Sequence, residues 1–182
     1  MVLEVMGRDA GWIALQSGVS GGADAILIPE IPFDIDTVCQ KIEQIQLTGR
    51  RYSLIVVAEG AHPKDGEQRY HINDQKQGGK RLGGIGHQVG QMLGDKIDSE
   101  VRVTVLGHVQ RGGQPIPSDR WLATRFGARA VHLVANEQWG MMVALESSRM
   151  VAVPMSEAAT TKTVDPQGEM VQMARELGIV FG

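Results

Sequence analysis

Short apolar runs alternate along this chain with stretches in which apolar side chains recur every three or four positions. Residues 2–6, 25–28, 54–58, 101–106 and 141–145 are brief and rich in aliphatic side chains, which predicts strands. Residues 10–19, 34–47, 83–97 and 118–136 carry the helical period instead. Within 34–47, Ile35, Val38, Ile42 and Ile45 share a face, and Asp34 stands where an N-cap belongs. Ser118 takes the same place before the longest helix. Leu54-Ile55-Val56-Val57-Ala58 shows no polar alternation, the mark of a strand buried on both faces. Strand, helix, strand in repetition implies parallel βαβ units in an α/β, Rossmann-like sheet flanked by helices.

Two segments break the rhythm. Residues 61–81 are polar and contain Pro63, Asp65-Gly66 and Gly78-Gly79, which predicts a long excursion after a buried strand. Residues 155–168 are polar and Thr-rich, ahead of a last helical stretch at 169–177. At 182 residues and 42% hydrophobic content the chain can bury a core. The 18 basic and 21 acidic residues are mixed along it, and a net charge of −3 leaves no footprint for nucleic acid. A few converging arginines can still form a positive pocket for a small anion. No apolar run approaches the ~20 residues of a membrane span, and Met1-Val2-Leu3-Glu4 lacks the basic lead of a signal peptide. The single cysteine, Cys39, sits in an apolar-periodic stretch and reads as a buried thiol, which with the absence of targeting signals gives an expected cytoplasmic location. The nine methionines read as core filler, and Trp12, Trp121 and Trp139 as packing residues. His62, His71, His87 and His132 lack partners at ligand spacing and read as structural or solvent-facing. Glycines pair at Gly21-Gly22, Gly78-Gly79, Gly83-Gly84 and Gly112-Gly113, as they do where backbone approaches a ligand or other backbone. The glycine pattern over 79–86 follows a polar loop rather than a strand, which argues against dinucleotide binding.

In an open α/β sheet the ligand crevice lies beyond the carboxyl ends of the strands. Here those ends are rich in charge. The first strand runs into Met6-Gly7-Arg8, the third into Glu59-Gly60, and the one at 101–106 into Gly107-His108-Val109-Gln110-Arg111-Gly112-Gly113. Arg or His beside Gly suits a phosphate, because backbone N–H groups reach the oxygens while Arg supplies paired donors. A strand-end carboxylate is a natural acceptor for sugar hydroxyls. Together these features point to a phosphorylated polyol or sugar.

At these residues the chain resembles the 6-phosphofructokinase family. The resemblance is carried by Glu4-Val5-Met6-Gly7-Arg8, Ala10-Gly11-Trp12-Ile13-Ala14-Leu15, Ile28-Pro29-Glu30-Ile31-Pro32-Phe33, Ala58-Glu59-Gly60, the stretch from Arg102 through Gly113, and Pro117-Ser118-Asp119-Arg120, in family order. It implies that Met6, Gly7 and Arg8 line a fructose 6-phosphate site, with Arg8 catalytic beside the transferring phosphoryl group. It further implies that Glu59 holds sugar hydroxyls and that His108 and Arg111 grip the 6-phosphate. Arg102 would reach the same phosphate across a subunit interface, so the enzyme would be a homo-oligomer with a shared site. Gly22, Ala23 and Asp24 fall at the positions where bacterial members bind an allosteric nucleotide with its magnesium, with Arg50 and Arg51 as nearby cations.

What the resemblance implies for the whole chain is the second, sugar-phosphate half of a two-domain phosphofructokinase fold. Residues 1–113 would form the sugar-phosphate domain, and 114–182 a C-terminal segment packing partly on a nucleotide domain. Leu122, Phe126, Ala130 and Leu133 would lose their partner without that domain. The family's nucleotide loop and its catalytic aspartate segment have no match here, so the isolated chain is expected to be inactive and to need an N-terminal half. Mg2+ with ATP or pyrophosphate would be bound mainly by that half, with no metal site in this chain. The excursion at 61–81 is longer than in compact bacterial ATP enzymes and is similar to a mixed group that includes pyrophosphate users, although Asp9 stands where that group commonly has histidine. The alternative expectation is a non-catalytic sugar-phosphate-binding or regulatory module.

Overall fold

The computed structural model describes residues 1–66 and 84–182 in full, and residues 70–71 and 81–82 by their backbone. Most of the polar excursion, Gly78-Gly79, Gly83 and the side chain of His71 lie outside the described residues. Two compact units divide the chain: Met1–Gln110 together with Thr163–Gly182, and Arg111–Lys162.

The first unit begins with β1 (Val2–Val5), α1 (Trp12–Ser20), β2 (Ala25–Leu27), α2 (Ile35–Leu47) and β3 (Ile55–Ala58). A two-residue antiparallel pair, β4 (Tyr70–His71) and β5 (Arg81–Leu82), precedes α3 (Ile85–Gly94) and β6 (Val103–Val105). The main sheet is parallel throughout in the order β2-β3-β1-β6, with Val2 registered between Ile55 and Val103. Side chains alternate across it, as the two-residue strand period requires. Leu27, Ile55 and Val57 join Val38, Ile42, Val89 and Leu93 on one face, while Ile26, Ile28, Val56 and Ala58 join Leu15, Val171 and Phe181 on the other. Each of the Val, Leu, Ile and Phe side chains among them stabilises the fold by roughly 1.5–3 kcal/mol when fully buried. Asp34 caps α2 as expected, its Oδ1 accepting the Asp36 N–H at 2.9 Å.

The tail returns to this unit. Val164, Val171, Ala174, Ile179 and Phe181 are buried in the second of those faces, partly through the last helix of the chain, Glu169–Glu176. Val180 then lies parallel to Ala25, with the Ile26 N–H donating to its carbonyl at 2.9 Å and its own N–H donating to Asp24 O at 3.1 Å. The sequence alone places its line at residue 113, with everything beyond it in one segment. Apolar burial draws residues 163–182 back to the sheet, and the division falls after Gln110.

The second unit holds α4 (Pro117–Ala135), an antiparallel hairpin of β7 (Met141–Glu146) and β8 (Arg149–Pro154), and the short α5 (Met155–Ala158); the tail helix Glu169–Glu176 is accordingly α6. Ser118 does not cap α4. Proline's fixed φ suits the first helical position, so the helix starts at Pro117, and Asp119 Oδ2 accepts the Ile116 N–H at 3.1 Å. The stripe expected to lose its cover is partly covered within this unit: α4 packs on β7 and β8, leaving Leu133 buried, Leu122 and Phe126 half-buried, and Ala130 exposed. Two tryptophans also depart from expectation. Trp12 packs on the core, whereas Trp121 is 67% and Trp139 68% exposed. Among the described residues none of the methionines belongs to the buried core, and Met92 alone packs against it.

Candidate functional site

Because β3, β1 and β6 are adjacent and parallel, their carboxyl ends open on one side of the sheet. Residues 6–11 leave β1 there and lead into α1. This loop lies against Gly60 closely enough that a Cβ on residue 60 would stand 1.9 Å from the Arg8 carbonyl oxygen. Gly60 N–H donates to Gly7 O at 3.0 Å, and Gly7 N–H reaches Glu59 Oε1 at 3.4 Å. Met6 N–H donates to Gln110 Oε1 at 2.7 Å. Gly7 itself has φ 146, and a Cβ there would meet Ala10 O at 2.9 Å. The backbone at Met6 and Gly7 is thus tied to segments following both neighbouring strands, and Arg8 is left exposed beside them.

β6 passes into a 3-10 helix, Gly107–Arg111, opened by Gly107 at φ 52. His108 and Arg111 both fall on it, three residues apart. Both are exposed, and Arg111 is the first residue of the second unit. Arg102 is not brought to this end. It precedes β6 at the opposite end of the strand and pairs with Glu100, Nε to Oε1 at 2.9 Å and Nη2 to Oε2 at 3.2 Å. That hydrogen bond holds the Glu100 carboxyl below its ordinary value and raises the guanidinium's. Gly22, φ 68, turns the chain after α1, and Ala23 and Asp24 are buried. Asp24 is ion-paired with Arg50 and accepts the Leu54 N–H at 2.9 Å.

Two residues at this end of the sheet were given no role by the sequence. Gln110 ties down Met6, and its signal was its place between His108 and Arg111. Glu4, 3% exposed in the central strand, accepts the Gly86 N–H at 2.7 Å and so places a carboxylate at the amino end of α3. A Cβ on Gly86 would sit 2.9 Å from that carboxylate oxygen, which explains the glycine. A lone charge inside an apolar strand was its only sequence trace. Among the described residues no group of three His, Cys, Asp or Glu side chains is arranged to hold a metal ion.

A parallel α/β sheet with glycine, arginine, histidine and carboxylate groups beyond its carboxyl ends defines an open-sheet protein whose polar groups gather where such sheets commonly take their ligands. The family model for phosphofructokinase matches residues 1–134, and the chain belongs to the phosphofructokinase family. An ATP-dependent 6-phosphofructokinase of Chloroflexus aggregans is 52% identical over 183 residues, covering 100% of this chain and 50% of that protein. A pyrophosphate–fructose 6-phosphate 1-phosphotransferase of Streptomyces coelicolor is 46% identical, with 100% and 52% covered. The T-state crystal structure of Pichia pastoris phosphofructokinase matches 86% of this chain and 17% of its own at TM-score 0.70 and 33% identity. The pyrophosphate-dependent enzyme of Marinobacter aquaeolei shares the fold at TM-score 0.73 and 22% identity, over 100% of this chain and 44% of its own. The chain spans about half the length of the curated relatives it matches.

Proposed function

We propose that this chain is the C-terminal, sugar-phosphate portion of a 6-phosphofructokinase, binding fructose 6-phosphate for phosphoryl transfer to its 1-hydroxyl. The observation that carries this reading is the loop at residues 6–11, which Gln110, Glu59 and Gly60 pin at Met6 and Gly7 and which carries Arg8 just beyond the carboxyl end of β1. A backbone fixed at Met6 and Gly7 holds donors at set positions, as catalysis by positioning requires. Arg8 then meets the charge that spreads over the transferring phosphoryl group. Glu59 accepts from sugar hydroxyls, and His108 and Arg111 take the 6-phosphate with charge-assisted hydrogen bonds. Arg102, facing away from this end, serves the site of a neighbouring copy. Gly22, Ala23 and Asp24 form an effector position in which an anionic ligand competes with Asp24 for Arg50.

The donor, ATP or pyrophosphate, and the base that takes the hydroxyl proton belong to an N-terminal portion, whose motifs this sequence lacks. Magnesium bound with the donor neutralises charge on the phosphoryl oxygens, and it is assigned to that portion as well. The chain alone therefore binds sugar phosphate without turnover. Calorimetric titration tests this directly. Fructose 6-phosphate binds the wild-type chain, and Arg111→Ala weakens it by about tenfold or more through loss of a charge-assisted contact. A folded wild-type chain that takes up no fructose 6-phosphate overturns the reading. Mixing with an N-terminal portion from a relative and supplying each donor in turn restores fructose 1,6-bisphosphate formation.

A further inference from the structure

The loop that carries Arg8 is held at its far end by a residue from another element. Gly11 begins α1 with no side-chain cap, and the first turn of that helix contains no acidic residue. The missing acceptor comes from Glu30, which follows β2: the Gly11 N–H is shared between its Oε1 at 3.0 Å and Oε2 at 3.1 Å. Fit at this contact is tight. A Cβ on residue 11 would lie 2.3 Å from Ile28 Cγ2 and 3.0 Å from Glu30 Oε2, so only glycine brings the helix start this close. Glu30 Oε1 accepts a second bond, from the Val164 N–H at 2.8 Å. Val164 is 2% exposed and opens the tail that returns to the sheet, beyond the residues matched by the family model. One half-buried carboxylate thus joins the end of the Arg8 loop to the C-terminal tail, while Gln110 and Gly60 fix the loop's beginning.

We propose that Glu30 is a positioning residue for the sugar-phosphate site, locking residues 6–11 to the tail so that Arg8 is presented in one geometry. The proposal rests on the reading of Arg8 given above, but its structural half stands apart from that reading. A carboxylate accepting two backbone N–H groups at a helix start is charge-assisted and stabilised by the helix dipole. Its removal frees both segments at once.

The test is hydrogen exchange read by mass spectrometry on the chain, paired with fructose 6-phosphate titration. In Glu30→Ala, peptides covering residues 6–11 and 163–166 both exchange about tenfold faster than in the wild type, and affinity for fructose 6-phosphate falls by about tenfold. Glu30→Gln keeps Oε1 and restores most of both effects, which a general loosening of the fold would not do. Faster exchange in only one segment overturns the proposal, as does unchanged affinity when both are released. Should Glu30→Ala not fold, the wild type decides. Saturating fructose 6-phosphate slows exchange in 163–166 together with 6–11, and slowing in 6–11 alone overturns the coupling. A wild-type chain that ignores fructose 6-phosphate refutes the sugar-phosphate reading, and joint release of the two segments in Glu30→Ala, reversed in Glu30→Gln, then still judges the clamp.

Discussion

Gly60 shows how a single atom can set a site. The Arg8 carbonyl oxygen occupies the space a Cβ would need, at 1.9 Å. Gly60→Ala therefore forces the loop off β3, and overpacking of this kind destabilises by about 1–3 kcal/mol or more. Urea denaturation of the variant should show that loss, and a midpoint equal to the wild type's would refute the contact. Cys39 makes a different prediction. Burial first, and the Asp36 carboxylate second, hold its thiol above the ordinary value of 9.0. The unfolded chain thus loses this proton before the folded one does. The thiol's contribution to stability is complete below 9.0 and declines as pH rises past it. Stability curves for wild type and Cys39→Ala should converge above that pH; a constant gap up to strongly alkaline conditions would refute the assignment. Of the residues at the loop, Arg8 and Glu59 stood out in the sequence as charges beside glycine at strand ends, which is where the fold has them. Gln110 did not, since an amide in a polar stretch carries no pattern until its backbone partner is known.

At the scale of elements, the N-cap of α2 is the simplest test. Asp34→Ala removes the acceptor for the Asp36 N–H and should lower stability by about 1 kcal/mol, with helix signal lost in proportion. Thermal melts that superimpose would disprove it. The parallel strands and α2 were readable because burial on both faces of a strand, and on one face of a helix, leaves an unmistakable spacing in Ile55–Ala58 and Ile35–Leu47. β8 went unassigned because Arg149–Pro154 resembles a strand only once β7 lies opposite, and its turn depends on Ser147 adopting φ 54. The tail was also opaque: Val171, Ala174 and Phe181 are spaced for a core, but nothing local says which core.

At the scale of the molecule, the second unit leaves large apolar side chains in solvent. Trp121, Val131 and Val134 are 67%, 67% and 56% exposed on α4, away from the residues that meet the hairpin. An N-terminal portion is their proposed cover, so adding it should shift tryptophan emission to the blue, and Trp121→Phe should remove most of that shift. Emission unchanged on mixing, with turnover restored, would place the contact elsewhere. The sheet of the first unit has a different asymmetry. Val180 seals the flank of β2, while among the described residues no strand pairs with the outer side of β6. Any backbone pairing of copies through this sheet would therefore fall to the β6 margin rather than to that of β2.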